Sequence, residues 1–268
     1  MKKWIIAILI LIFIALIIMY FYQQRTSAPS SPETAAPILP AGPGAPLLAG
    51  NDEIIEHSYY TLAYNEQHEQ ADWVFYKLEA EYLQVKSNER KDNFREDPFV
   101  STGSAALKDY KGSGYDRGHL LPAADMSWSE AALSETFFMS NMSPQAPSFN
   151  RGIWKKLETQ VRDWALQHDD LYVVTGPVLQ QGLATIGENA VSVPPFYYKV
   201  ILDYNPPEYK GIGFVMANEK LIGDLGTYAV TIDSVEVLTG MDFFYSLPDD
   251  FEAQVESSID LVLWNLSE

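Results

Sequence analysis

The residue types best suited to chemistry crowd into one stretch of this chain. Gly112-Ser113-Gly114 leads through Tyr115 into Asp116-Arg117-Gly118-His119. Ser140-Asn141-Met142-Ser143-Pro144-Gln145 follows, then Asn150 and Arg151, with Glu158 eight residues beyond Asn150. A histidine, two arginines, two asparagines and a glutamate are what phosphodiester hydrolysis with one hard metal ion needs. His119 is the best general base, because histidine titrates near neutral pH without a large environmental shift. Arg117 suits bidentate contact with phosphate. Asp116 orients His119 or pairs with an arginine, and a plain strand-end pairing with its neighbour Arg117 has equal standing. The glycines allow tight backbone geometry and close approach of a ligand.

These residues need elements to hold them. Asn150 to His168 reads as one helix, with Trp154, Leu157, Val161, Trp164 and Ala165 forming an apolar stripe. Asn150 falls at its start, where asparagine is also a common N-cap that needs no metal to explain it. On a regular helix Glu158 lies about 80° around and about 12 Å along from Asn150, so both are not easy direct ligands of one ion. A metal at Asn150 therefore reaches Glu158 through bound water, and a shell of several waters is what Mg²⁺ prefers, with Mn²⁺ as the alternative. Arg151, Lys155 and Lys156 project from the same region toward flanking phosphates, or form the solvated side of the helix. Ser127-Trp128-Ser129-Glu130 has the form of a capping box that starts a short helix.

Strands are expected at His57 to Tyr64, Trp73 to Leu78, Leu171 to Leu179, Val191 to Tyr204 and Gly211 to Met216. A short helix is expected at Ile232 to Leu238 and a C-terminal one at Phe251 to Leu266. Lys86 to Pro98 is polar and loop-like. His57 and His68 share no metal-ligand spacing with anything and read as surface or satisfied histidines. Strands on both sides of a central helical segment make an α+β domain on a mostly antiparallel sheet.

The chain has no cysteine, which excludes disulfides, thiolate nucleophiles and cysteine zinc sites. Its net charge of −18 argues against a general polyanion binder. The distribution says otherwise: between Lys86 and Arg162 there are 11 Lys or Arg against 10 Asp or Glu, so most of the 18 basic residues share a segment with the motifs.

Lys2 and Lys3 precede Trp4 to Tyr22, nineteen residues with no charge, long enough to span about 30 Å of hydrocarbon. Residues 1–25 are read as an N-terminal transmembrane anchor with a cytoplasmic N-terminus and the remainder extracytoplasmic; a cleaved signal and secretion is the alternative. Residues 26–50, rich in Pro and Ala, form a linker. Residues 51–268 form the folded domain.

Phe94-Arg95-Glu96-Asp97, Asp116 to His119, Ser140 to Gln145 and Asn150 to Glu158, in that order and spacing, closely resemble the DNA/RNA non-specific endonucleases, a family that includes mitochondrial endonuclease G. The resemblance implies a ββα-metal (His-Me finger) core set on the antiparallel sheet. It implies His119 as base, Asn150 as the direct Mg²⁺ ligand, Arg117 at the phosphate, Asn141 as a helper in the site and Glu158 as holder of metal-bound water. Some members carry a further arginine upstream, a role that falls here to one of Arg90, Arg95 or Lys91. DNA and RNA are then the substrates, cut to leave 5′-phosphates, and a homodimer is an assembly open to the chain. Two rivals stand beside this: an anchored nucleic-acid-binding module without catalysis, and a phosphodiesterase for a smaller substrate.

Overall fold

The computed structural model describes residues 42–48 and 52–266; the expected anchor at 1–25 and most of the linker lie outside them. Among the described residues no helix is long and apolar enough to cross a membrane.

The first strands are β1 (Glu53–Glu56), β2 (Thr61–Asn65) and β3 (Gln70–Leu78). A short strand β4 (Asp116–His119), helix α1 (Glu130–Glu135) and strand β5 (Met142–Gln145) come next. Helix α2 (Lys155–His168) leads to β6 (Leu171–Pro177), β7 (Phe196–Asp203), β8 (Lys210–Ala217) and β9 (Ala229–Val230). Helices α3 (Ile232–Thr239) and α4 (Asp249–Glu256) close the chain. Seven strands form one sheet in the order β9-β8-β7-β6-β3-β2-β1, every pairing antiparallel. The β4–β5 pair is a separate two-stranded ribbon.

The expected stripe on α2 is the face that meets the sheet. Trp154, Leu157, Val161, Trp164 and Ala165 are all buried, in one cluster with Val173, Tyr197, Ile201, Ile212 and Phe214. Burying Leu157 or Val161 contributes about 1.5–3 kcal/mol each. Seven of the eight β7 residues are buried because both of its neighbours and both of its faces are covered, so no polar alternation survives in its sequence.

Several expectations need correction. The helix at Asn150 is not continuous: Pro147–Phe149 begin it, a wide π-type turn spans Asn150–Trp154, and Gly152 has non-helical φ −103 and ψ −114. Asn150 is therefore not an N-cap; it sits in helical φ/ψ, and Ala146 precedes the first turn. The regular-helix arithmetic between Asn150 and Glu158 fails for the same reason. Helix α1 starts at Ser129, whose hydroxyl accepts from the Ala132 amide, so the box at Ser127 does not form.

The strand expected from Val191 is broken by Pro194 and Pro195, which cannot donate to a ladder; Val191–Ser192 instead pair with Thr185–Ile186. The helix from Phe251 ends at Glu256, where Ser257 and Ser258 begin a turn back to the core. That return seats Trp264 edge-on to Trp164 at 4.8 Å, and its carbonyl accepts from the Trp164 indole at 2.8 Å. Strand β1 went unread because Glu53 and Glu56 flank only two isoleucines at the sheet edge.

Candidate active site

His119 ends β4 opposite Met142 of β5, and the register runs back to Asp116 opposite Gln145. Gly118 in this ribbon has a packing cause: a Cβ there would meet the Gln145 side chain at 2.2 Å. Beyond His119 the chain is gripped by Asn141, which is fully buried. Its Oδ1 accepts from the Leu121 amide at 2.9 Å, and its Nδ2 donates to the carbonyls of Leu121 and Thr136 at 3.0 and 2.8 Å. All of these partners are main chain, so Asn141 shapes the turn after the histidine and does not face the cleft.

Three aromatic rings fix the ribbon to the helix. Phe149 stacks on Tyr197 at 5.3 Å and packs against Trp154 at 5.2 Å. The Tyr197 hydroxyl donates to the Pro144 carbonyl at 3.0 Å and lies 2.6 Å from Ser143 Oγ. Sheet, ribbon and helix start thus meet at one tyrosine. The loop before β4 is pinned by a buried set that sequence spacing did not reveal. His57 Nε2 lies 2.9 Å from Asp97 Oδ2, and Ser140 Oγ donates to the same oxygen at 2.5 Å. Burial raises the Asp97 carboxyl, but bonds from His57, Ser140 and the Phe99 amide outweigh it and hold it below the ordinary range. Of the two readings of His57, the satisfied one holds and the surface one does not: its ring is buried between Tyr60 and Phe138 and bonded to Asp97.

A cleft of about 430 Å³ opens between the ribbon and α2. His119, Asn150 and Glu158 border it together with Arg90, Arg117, Arg151, Lys155 and Arg162. Five cations line it; Arg90, Arg151 and Arg162 are paired with Asp92, Asp116 and Asp125, while Arg117 and Lys155 enter no salt bridge among the described residues. His119 is packed edge-on against Phe94 and Phe137, and its Nε2 has no hydrogen-bond partner. The ring is also bonded to the Arg117 main chain, which leaves Nδ1 for that bond and Nε2 as the free atom. Burial first, then the charge of Arg90 and, more weakly, Arg117, lowers the His119 pKa to about 3 against the pull of Asp92, so the ring is neutral.

Arg117 stacks on Phe94 at 4.2 Å and enters no salt bridge among the described residues. Asp116 pairs with an arginine, and the partner is Arg151 rather than its neighbour Arg117. It accepts from Arg151 Nε and Nη2 at 2.8 and 2.6 Å, and from Asn150 Nδ2 at 2.9 Å. With Nδ2 committed, Asn150 keeps its Oδ1 for another partner. Among the upstream basic residues, Arg90 borders the cleft and its guanidinium lies 5.1 Å from the Phe137 ring centroid. Lys91 pairs with Glu130. Arg95 is turned away: it covers the Phe138 ring at 3.9 Å and donates to the carbonyls of Asn93 and Ser134 at 3.2 and 2.8 Å.

Beneath Glu158 lies a buried charge cluster that sequence reading missed. Arg162 donates to Asp125 at 2.7 Å, Tyr76 donates to the other Asp125 oxygen at 2.9 Å, and Lys199 of β7 is 1% exposed with no hydrogen bond to Nζ. Burial pushes the Glu158 carboxyl up, with Lys199 and Arg162 opposing, and pushes the Lys199 amine down. The Glu158-to-Arg162 spacing of one helical turn was a usable signal for Arg162. Asp125 and Lys199 carried none, since they arrive from a loop and a distant strand.

Comparison with known proteins shows the family of the chain. The sequence model of the DNA/RNA non-specific endonuclease family matches residues 45–250. A nuclease of Nostoc sp. is 32% identical over 82% of this chain and 84% of its own length. Mitochondrial endonuclease G of Bos taurus is 33% identical over 80% of each chain. A crystal structure of an EndoG/EndoGI complex superposes with a TM-score of 0.67 at 32% identity, over 73% of this chain and 86% of that one. The chain belongs to the DNA/RNA non-specific endonucleases, phosphodiester hydrolases of a metal-dependent family.

Proposed function

We propose that the cleft cuts DNA and RNA with His119 as general base and one divalent cation, Mg²⁺ or Mn²⁺, leaving 5′-phosphates. The observation that carries this reading is the partnerless Nε2 of a neutral His119 in a cleft rimmed by cations. His119 Nε2 takes a proton from the water that attacks phosphorus, and the bond to the 3′ oxygen breaks on the opposite side. Nδ1–H donates to the Arg117 main-chain carbonyl, which holds the tautomer that leaves Nε2 ready to accept. Arg117, stacked on Phe94 and unpaired, neutralises charge that builds on the phosphate. Arg90 and Lys155 are placed to hold flanking phosphates, while Arg151 acts first as the partner of Asp116. Contacts of this kind carry little sequence preference.

The donor set suits a hard cation. Asn150 and Glu158 offer only oxygen, and Asp116 anchors the Asn150 amide so that Oδ1 is available. When bound, the cation polarises a phosphate oxygen and stabilises the departing 3′ oxygen. Asn141 serves by holding the turn after His119. The uncharged run Trp4 to Tyr22 supports a chain tethered to a membrane with this domain outside the cytoplasm.

The test is digestion of plasmid DNA and of RNA by the full chain with Mg²⁺ or with EDTA, followed by ligation of the DNA ends without prior phosphorylation. Cleavage with Mg²⁺ alone and ligatable ends are expected. Tight binding with no cleavage in Mg²⁺ or Mn²⁺ would establish the non-catalytic rival instead.

A further inference from the structure

Away from the cleft, three carboxylates converge where α3 meets the end of α4. Asp233 stands in the first turn of α3, Glu236 one turn further on, and Glu256 is the last residue of α4. One oxygen from each lies within 4.8 Å of the others. Asp242 and Glu252 lie near the same place and act on Glu256 electrostatically. None of the salt bridges among the described residues includes any of these five groups.

A second observation separates this cluster from an ordinary acidic surface. Glu256 is 4% exposed, and its Oε1 is buried with no hydrogen-bond partner. A buried carboxylate oxygen left unsatisfied is costly, and four like charges beside it make it more so. Burial and the neighbouring carboxylates push the Glu256 carboxyl up to about 9, so without a cation this group holds a proton near neutral pH, and a bound cation displaces it. Such a cation is attracted by all five groups at once. Calcium takes oxygen ligands at about 2.3–2.6 Å in flexible geometry, so it can bridge three oxygens that all lie within 4.8 Å of one another. Magnesium demands stricter geometry and prefers to keep its waters.

We propose that Asp233, Glu236 and Glu256, backed by Asp242 and Glu252, bind a divalent cation of calcium's size at a site distinct from the nuclease cleft. Glu236 is already set for the role, since its Oε1 accepts from the Phe243 amide at 2.8 Å. The ion ties α3, α4 and the Met241–Asp242 segment together at the flank of β8. Its role is structural, and it stands whether or not the cleft reading holds.

The experiment uses the full chain carrying Asn150→Ala, which removes metal binding at the cleft, after EDTA treatment. Calcium is titrated to about 10 mM, with calorimetric stoichiometry and the unfolding midpoint as readouts. One Ca²⁺ bound with Kd of about 0.1–1 mM is expected, with a rise in the midpoint of about 5 °C. Adding Glu256→Gln should weaken binding at least tenfold and abolish the rise. Asp233→Asn, at an exposed position, should do the same without touching the core. No calcium-dependent rise in the Asn150→Ala chain would overturn the proposal, and so would a rise that both further substitutions leave undiminished.

Discussion

The surroundings of His119, the proposed base, refuse it a proton. Burial and the two neighbouring guanidiniums hold its pKa near 3, while an unfolded histidine titrates at about 6.5. Between those values the unfolded chain takes up a proton that the folded one rejects, so this residue costs stability as pH falls below about 6.5. In the metal-free protein an NMR titration should find the His119 ring neutral from pH 8 down to at least pH 5. A midpoint near 6.5 would contradict the packing described for it. Phosphate entering the cleft offsets the charge of Arg90 and Arg117, so the ring becomes a better base once substrate is bound. Asn150 owes its orientation to Asp116, which is in turn held below the ordinary carboxylate range by Arg151 and Asn150 against the effect of burial.

At the scale of elements, the β4–β5 ribbon depends on one close approach. A Gly118→Ala side chain would collide with Gln145, so the substitution should cost about 2–3 kcal/mol in urea unfolding. Gln145 is buried and neither of its amide atoms has a partner, so Gln145→Ala breaks no hydrogen bond. The double substitution should recover at least half of the loss, and strictly additive costs would refute the collision. What the sequence made legible follows from how far apart the partners lie. His119, Arg117, Asn150 and Glu158 fall within one segment, and the α2 stripe repeats at helical spacing, so both could be read locally. His57 and Asp97 are 40 residues apart and Lys199 is 41 beyond Glu158, so their pairing exists only after the sheet forms. The kink at Gly152 and the return of Trp264 are likewise tertiary: the first lies where the chain turns from ribbon to helix, the second fills a place beside Trp164. Arg95 and Arg90 look equivalent in sequence, and only the bonds to Asn93 and Ser134 remove Arg95 from the cleft.

For the molecule as a whole, the conflict between a net charge of −18 and a polyanionic substrate is resolved by segregation. Five cations line the cleft, while the acidic excess lies elsewhere, including the five carboxylates around Glu256. Affinity should therefore fall with salt, with a slope set by the number of phosphates that the cleft neutralises. With about four phosphates neutralised, binding of duplex DNA to the His119→Ala chain in Mg²⁺ should weaken about 10²-fold between about 50 and 200 mM salt. Filter binding across that range checks it, and an affinity indifferent to salt would mean that the substrate does not lie in this cleft.

The most direct test of the catalytic account is the single-turnover rate of plasmid cleavage by His119→Ala at saturating Mg²⁺, compared with the unsubstituted chain. Loss of one general base predicts a fall of at least about 10²-fold with the fold intact. A rate that does not change would show that the imidazole at position 119 is not the base.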